Sequence, residues 1–137
     1  MIFYTITTFR KNISDLTKKT KDGYQTVMTD IRNALSKMPD NVLRETNDRV
    51  FQTDQFRIIK LRLPNSGQSL SKSNGFRLIY LALLTKDVVT LLSIYPKRGS
   101  QGKVNIDKGE LQRLIQEYMV EYSNDSLEVF DLDQSGK

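Results

Sequence analysis

The chain has 137 residues, 38% of them apolar, with a net charge of +5 and a pI near 9.5. That length fits one domain with a real core, and no apolar run approaches the ~20 residues that span a bilayer. Cysteine and histidine are both absent, which excludes disulfides, thiolate nucleophiles, zinc–thiolate sites, histidine triads and ribonucleases that use a histidine pair.

Any catalysis must therefore use Lys, Arg, Tyr, Asp or Glu. The opening Met1–Ile6 has neither a basic n-region nor a small-residue cleavage site, so it is not read as a signal peptide. A cysteine-free chain of this kind is expected in the cytoplasm, with no membrane partner. From Asn124 onward four acids face Lys137 as the only base, a net −3 that leaves the preceding body at +8. A body this basic points to a polyanionic partner such as a nucleic acid.

In chain order, Ile2–Thr8 is rich in β-branched and aromatic residues and predicts a strand. A helix follows from about Lys11 to Lys19, with Phe9, Ile13 and Leu16 on one face; the Lys18–Lys21 charge run at its end reads as cations near a helix C-terminus. Tyr24, Val27, Met28, Ile31, Ala34, Leu35 and Met38 recur with helical spacing, which predicts a core-facing helix that Pro39 stops. Residues 40–54 have no clear period, and read as a short helix or irregular chain leading into a sheet.

Three strands then alternate in step. Ile59, Leu61 and Leu63 fall on one face of the first, with Lys60 and Arg62 on the other. Phe76–Leu84 is the second strand and Val88–Tyr95 the third. A three-residue loop at Thr85–Asp87 would place Leu84 opposite Val88 and Arg77 opposite Tyr95. Pairing Leu63 with Phe76 then sets Arg62 against Arg77 and Lys60 against Ile79. Lys60, Arg62, Arg77, Tyr95 and Lys97 would share one wet face. Single cations on a wet face serve solubility, but this many together, with like charges opposed, point to an anionic ligand.

The connection Pro64–Gly75 is long and polar, reads as a mobile loop and lacks the spacing of a phosphate-cradling glycine loop. Arg98–Gly102 is a loop leaving the third strand. Asp107 with Glu110 forms a capping-box pattern opening a helix whose apolar face is Leu111, Leu114, Ile115, Tyr118 and Met119. Residues 1–122 form the domain. Residues 123–137 form an acidic tail, read as a solvated terminus, with a strand laid along a sheet edge and its carboxylates near the cationic face as the alternative. The expected class is α+β: a small antiparallel sheet, made of the N-terminal strand and a three-stranded meander, packed against two N-terminal helices, with a C-terminal helix.

Gly75-Phe76-Arg77-Leu78-Ile79-Tyr80 followed by Leu91-Leu92-Ser93-Ile94-Tyr95-Pro96-Lys97, behind two helices, resembles the bacterial toxin superfamily of RelE, ParE and HigB, and more closely its HigB-like branch. The resemblance covers Ile2 to about Tyr118. It implies an mRNA interferase, a type II toxin that cuts messenger RNA on the ribosome and is neutralised by a cognate antitoxin protein. Position by position, it implies catalytic roles for Lys60, Arg77, Lys97 and Arg98; Arg62 and Tyr95 on the same predicted face, with Lys72 in the loop between the strands, are read beside it as RNA contacts.

One departure stands out: some members place a tyrosine beyond the basic pair, and Gly99–Lys108 contains none. Either Tyr95 takes that role, the branch does without it, or activity is low. The residues suit the chemistry without metal or cofactor. Attack of a 2′-hydroxyl on phosphorus passes through an anionic transition state that guanidinium groups stabilise, and a lysine among cations can act as base. Arg77 would clamp the phosphate, Lys97 or Arg98 would meet the leaving oxygen, and Tyr95 would stack on a base. Tyr80 reads as sheet packing. Two alternatives share the pattern: a ParE-like toxin that poisons gyrase without catalysis, and a non-catalytic basic RNA-binding module.

Overall fold

The computed structural model describes residues 1–18, 23–45, 48–98, 102 and 105–132. Lys19–Lys21 of the charge run, Gly99–Gln101 of the loop after the third strand, and residues 133–137 of the tail lie outside them. The described elements are β1 (Ile2–Thr5), α1 (Thr7–Thr17), α2 (Val27–Lys37), α3 (Asp40–Glu45), β2 (Arg49–Gln52), β3 (Phe56–Leu63), β4 (Phe76–Leu83), β5 (Val88–Pro96), α4 (Lys108–Ser123) and β6 (Glu128–Val129).

The fold is α+β, and its strands form one six-stranded sheet in the order β2-β3-β4-β5-β1-β6. Two features go beyond the expected antiparallel sheet. β1 joins β5 in parallel, with Ile2 opposite Val88 and Thr5 opposite Leu91, so the sheet is mixed. The indistinct 40–54 stretch supplies both α3 and the outer strand β2.

Even-numbered β4 residues Phe76, Leu78 and Tyr80 pair with Leu63, Leu61 and Ile59. That face is fully apolar and carries the N-terminal helices; Tyr24, just ahead of α2, sets its ring edge-on to Phe76 at 6.2 Å. Met38 is extended before Pro39 (ψ 131°), as the proline ring demands, so α2 ends there. The opposite face bears Arg62, Arg77, Ile79, Ser93 and Tyr95, and α4 crosses it.

α1 begins at Thr7, earlier than the periodicity indicates. Its N-cap is Ile6, with no side chain to cap it. The free N–H groups of its first turn are instead met from α4: Thr7 donates to Glu121 at 3.2 Å and Thr8 to Glu117 at 2.7 Å. Carboxylates at a helix N-terminus satisfy orphan donors and oppose the helix dipole. The same contacts fix the rotation of α4. Leu114, Tyr118 and Glu121 face inward, while Met119, expected on the apolar face, is 57% exposed.

The tail takes the edge-strand alternative. β6 pairs with Tyr4 and Thr5, Glu128 lies 3.4 Å from Arg10, and Phe130 is buried edge-on against Phe9 at 6.0 Å with the Arg32 guanidinium over its ring. Residues 127–130 thus complete the core on the edge away from β3, with the Glu128 carboxylate turned to Arg10.

Candidate nucleic-acid interface

The interface is built on the lower ends of β3, β4 and β5. Arg62 lies opposite Arg77, and Arg77 opposite Tyr95, with Lys60 opposite Ile79. The hairpin does not supply this alignment in the expected way. Near the turn the pairs are Ala82 with Val89 and Leu81 with Thr90, offset by one residue from the register of a three-residue loop, because the connection is the four residues 84–87. A bulge then inserts Leu92, because Ile79 meets Ser93 while Tyr80 meets Leu91. The inserted residue restores the register that sets Tyr95 against Arg77; without it Arg77 would face Ile94.

Gly75 opens β4 where the chain runs hard against the end of β3. A Cβ there would collide with the Leu63 carbonyl and lie 2.6 Å from Asn65 N. Only glycine fits that approach, and the Lys97 amide donates to the Gly75 carbonyl at 2.8 Å. The Pro64–Gly75 connection is also more ordered than its composition indicates. Ser66 N donates to the buried Asp30 carboxylate at 3.1 Å, Asn65 Nδ2 donates to Gly23 O at 2.9 Å, and Asn65 bridges Leu70. A single turn of 3-10 helix at Ser66–Gln68 completes it.

The sheet face was expected to be wet, and it is not. Arg77 is 5% exposed and Tyr95 3% exposed: the 72–73 loop folds onto Arg77, while Ile106 and Glu110 at the start of α4 lie beside Tyr95. The Arg77 guanidinium donates to Lys72 O at 2.9 Å, Ser73 O at 2.9 Å and Phe76 O at 3.2 Å. It therefore ties down the loop rather than presenting a phosphate clamp. Burial, and then the Arg62 charge, push Arg77 below its ordinary pKa, while Tyr95 and Asp48 act in the other direction.

Tyr95 cannot stack on a base as expected. Burial raises its phenol pKa, Arg77 opposes that, Glu110 adds to it, and a hydrogen bond with the Ile106 backbone opposes it again. Tyr80 is sheet packing, with burial pushing its phenol far up.

The remaining cations surround this buried centre. Arg62 and Lys72 are exposed. Lys60 is half-buried and donates to Asn105 Oδ1 at 3.4 Å. Lys97 is half-buried on the Tyr95 side of β5. Arg98 is exposed and donates through Nε and NH2 to Asn74 Oδ1 at 3.0 and 2.8 Å, while its carbonyl accepts from Tyr24 at 2.9 Å. The result is an open basic rim around one buried arginine. Such a rim can hold phosphates by charge and by guanidinium geometry.

No protein-family model matches the chain, and no curated protein matches it. The resemblance rests on its residues alone. Among the described residues no group of three acidic side chains converges to hold a metal ion, and no helix is long and apolar enough to cross a membrane.

Two residues near the site escaped the sequence. Asn12 of α1 caps the free edge of β5, and Glu110 of α4 lies beside Tyr95. Glu110 had a visible role in the capping pattern, and Asp107 Oδ1 does accept from its amide at 2.7 Å. Nothing local marks where its carboxylate points.

Proposed function

We propose that the protein is the toxin of a bacterial type II toxin–antitoxin pair, acting in the cytoplasm as a metal-independent endoribonuclease that cuts mRNA on the ribosome. The observation that carries this reading is Arg62 held directly opposite Arg77, with Lys60 on the same face and Lys72 on the loop that Arg77 anchors. Like charges opposed in a sheet cost stability, and a bound polyanion offsets that cost.

The roles follow the exposure of each group. Arg62 and Lys72 reach solvent and take the phosphates of the strand. Lys60 serves as the general base that removes the 2′-hydroxyl proton. The 2′-oxygen then bonds to phosphorus as the bond from phosphorus to the 5′-oxygen breaks, leaving a cyclic phosphate and a 5′-hydroxyl. Lys97 supplies a proton at the departing oxygen, while Arg98, a poor proton donor, adds charge only. Arg77 acts behind them as a positioning residue. A cognate antitoxin has to cover this rim.

The test is purified protein incubated with ribosome-bound and free mRNA, each with and without chelator, alongside a gyrase supercoiling assay. Cleavage in chelator, reduced at least about tenfold by Arg62→Ala in a folded variant, is the expected result. Gyrase inhibition without cleavage would assign the ParE-like activity. RNA binding without cleavage would leave a binding module. Cleavage that needs added magnesium would overturn the mechanism.

A further inference from the structure

β1 pairs with β5 only from Val88 to Leu91, so the lower half of β5 has an open edge. α1 lies against that edge. Asn12 Oδ1 accepts from Ile94 N at 3.1 Å and from the hydroxyl of the buried Ser93 at 3.0 Å. A backbone N–H can meet only the amide oxygen, so the orientation of Asn12 is set. With Oδ1 occupied by two donors, Nδ2 is the group Asn12 presents to its surroundings.

Those surroundings are a polar cleft of about 210 Å³ between α1, β5 and the first turn of α4. Asp15, three residues on from Asn12 and so on the same helical face, lines it with Glu110, Thr8 and Tyr95. The volume lies below the ~300 Å³ at which drug-sized sites begin, and suits one planar ring system. The Asp15 carboxylate repels phosphate, so the cleft does not continue the basic rim. It suits a group rich in N–H donors with one acceptor beside them.

We propose that this cleft is a guanine subsite. Asn12 Nδ2 donates to the base O6, and the Asp15 carboxylate accepts from N1–H and the N2 amine, two parallel donors that match its two oxygens. Glu110 closes the opposite wall. Adenine carries an amine in place of O6 and an acceptor in place of N1–H, so it mismatches at both points, and uracil offers a single N–H. The proposal rests on the RNA-cleaving reading for its biological ligand. Tyr95 separates the cleft from Arg77, so a base bound beyond β5 lies about three strand spacings, roughly 14 Å, from Arg62. The rim therefore takes phosphates further along the strand, not the bound base's own.

The experiment is titration of ¹⁵N-labelled full-length protein with the nucleosides guanosine, inosine and adenosine, following the Asn12 side-chain amide by NMR. Nucleosides lack phosphate and so do not report on the basic rim. Guanosine should shift that amide and bind at least about tenfold tighter than adenosine, the discrimination one bidentate pair supplies; inosine, without the N2 amine, should fall between them.

Asn12→Asp keeps an oxygen for Ile94 and Ser93 but removes the donor, and should lower guanosine affinity about tenfold. Asp15→Asn, which leaves the β5 edge untouched, should do the same. An unmoved Asn12 amide, equal binding of guanosine and adenosine, or native affinity in a folded Asp15→Asn protein would overturn the proposal. The cleavage assay is scored separately. Guanosine binding without RNA cleavage would keep the cleft and refute the RNA-cleaving reading, and cleavage without guanosine binding would do the reverse.

Discussion

Replacing Arg77 with alanine separates a positioning arginine from a catalytic one. The side chain is 5% exposed and donates to the carbonyls of Lys72 and Ser73 at 2.9 Å each, besides Phe76 O. Hydrogen bonds from a charged donor contribute about 1.5–3 kcal/mol each. The two loop carbonyls lie at the rim and regain water once the guanidinium is gone, so the lower figure applies, about 3 kcal/mol for the pair. Relief of the cross-strand repulsion with Arg62 returns about 0.2–1 kcal/mol. The net expectation is a loss of about 2–3 kcal/mol, which in a domain of this length lowers Tm by roughly 6–10 °C.

Urea unfolding followed by circular dichroism measures the loss directly. Hydrogen exchange should show the amides of residues 72–75 opening before the rest of the sheet. Arg62→Ala should leave stability within about 0.5 kcal/mol of the parent, and the double variant should lose about 0.2–1 kcal/mol more than the sum of the singles, because the repulsion can be relieved only once. Arg77→Lys keeps the charge without the fork and should recover only part of the loss. An Arg77→Ala protein as stable as the parent, with unchanged exchange at 72–75, would refute the anchoring role and return Arg77 to direct contact with ligand.

Gly75→Ala should cost about 3 kcal/mol or more, since its Cβ would strike the backbone of Leu63–Asn65 and not a side chain that can move; a soluble variant with an unchanged melting curve would refute this. Phe130→Ala should cost about 3–5 kcal/mol, because the ring is 8% exposed and packs on Phe9, so truncation at Asn124 should unfold the protein rather than unmask the basic rim. Burial pushes the Tyr118 phenol up to about 12, while the unfolded chain ionises near 10. Its contribution is therefore complete below about pH 10 and is lost between about pH 10 and 12. Alkaline unfolding followed by tyrosinate absorbance should show Tyr118→Phe flattening that fall, and an identical pH profile would count against the burial.

The alternation of Ile59, Leu61 and Leu63 with Lys60 and Arg62, and the helical spacing from Tyr24 to Met38, were enough to specify the meander, the core helix and the shared parity of Lys60 and Arg62. These are local regularities, in which a repeat of two or of 3.6 residues assigns each side chain a face whatever lies elsewhere. Which face then stays wet is not a local property. Arg77 is buried under the 72–73 loop and Tyr95 beside the start of α4, and α4 is held there by Glu117 and Glu121 meeting the first turn of α1 more than a hundred residues away. The same long-range docking turned the acidic tail into an edge strand and left Met119 exposed. It also enclosed Asn12, Asp15 and Glu110 in one cleft. The bulge at Leu92 corrected a hairpin whose four-residue connection offsets the register by one, so the alignment of Arg77 with Tyr95 emerged by a different path. Strand parity follows from backbone geometry alone, whereas burial and docking depend on the sum of contacts between segments distant in the chain. No window of sequence contains that sum.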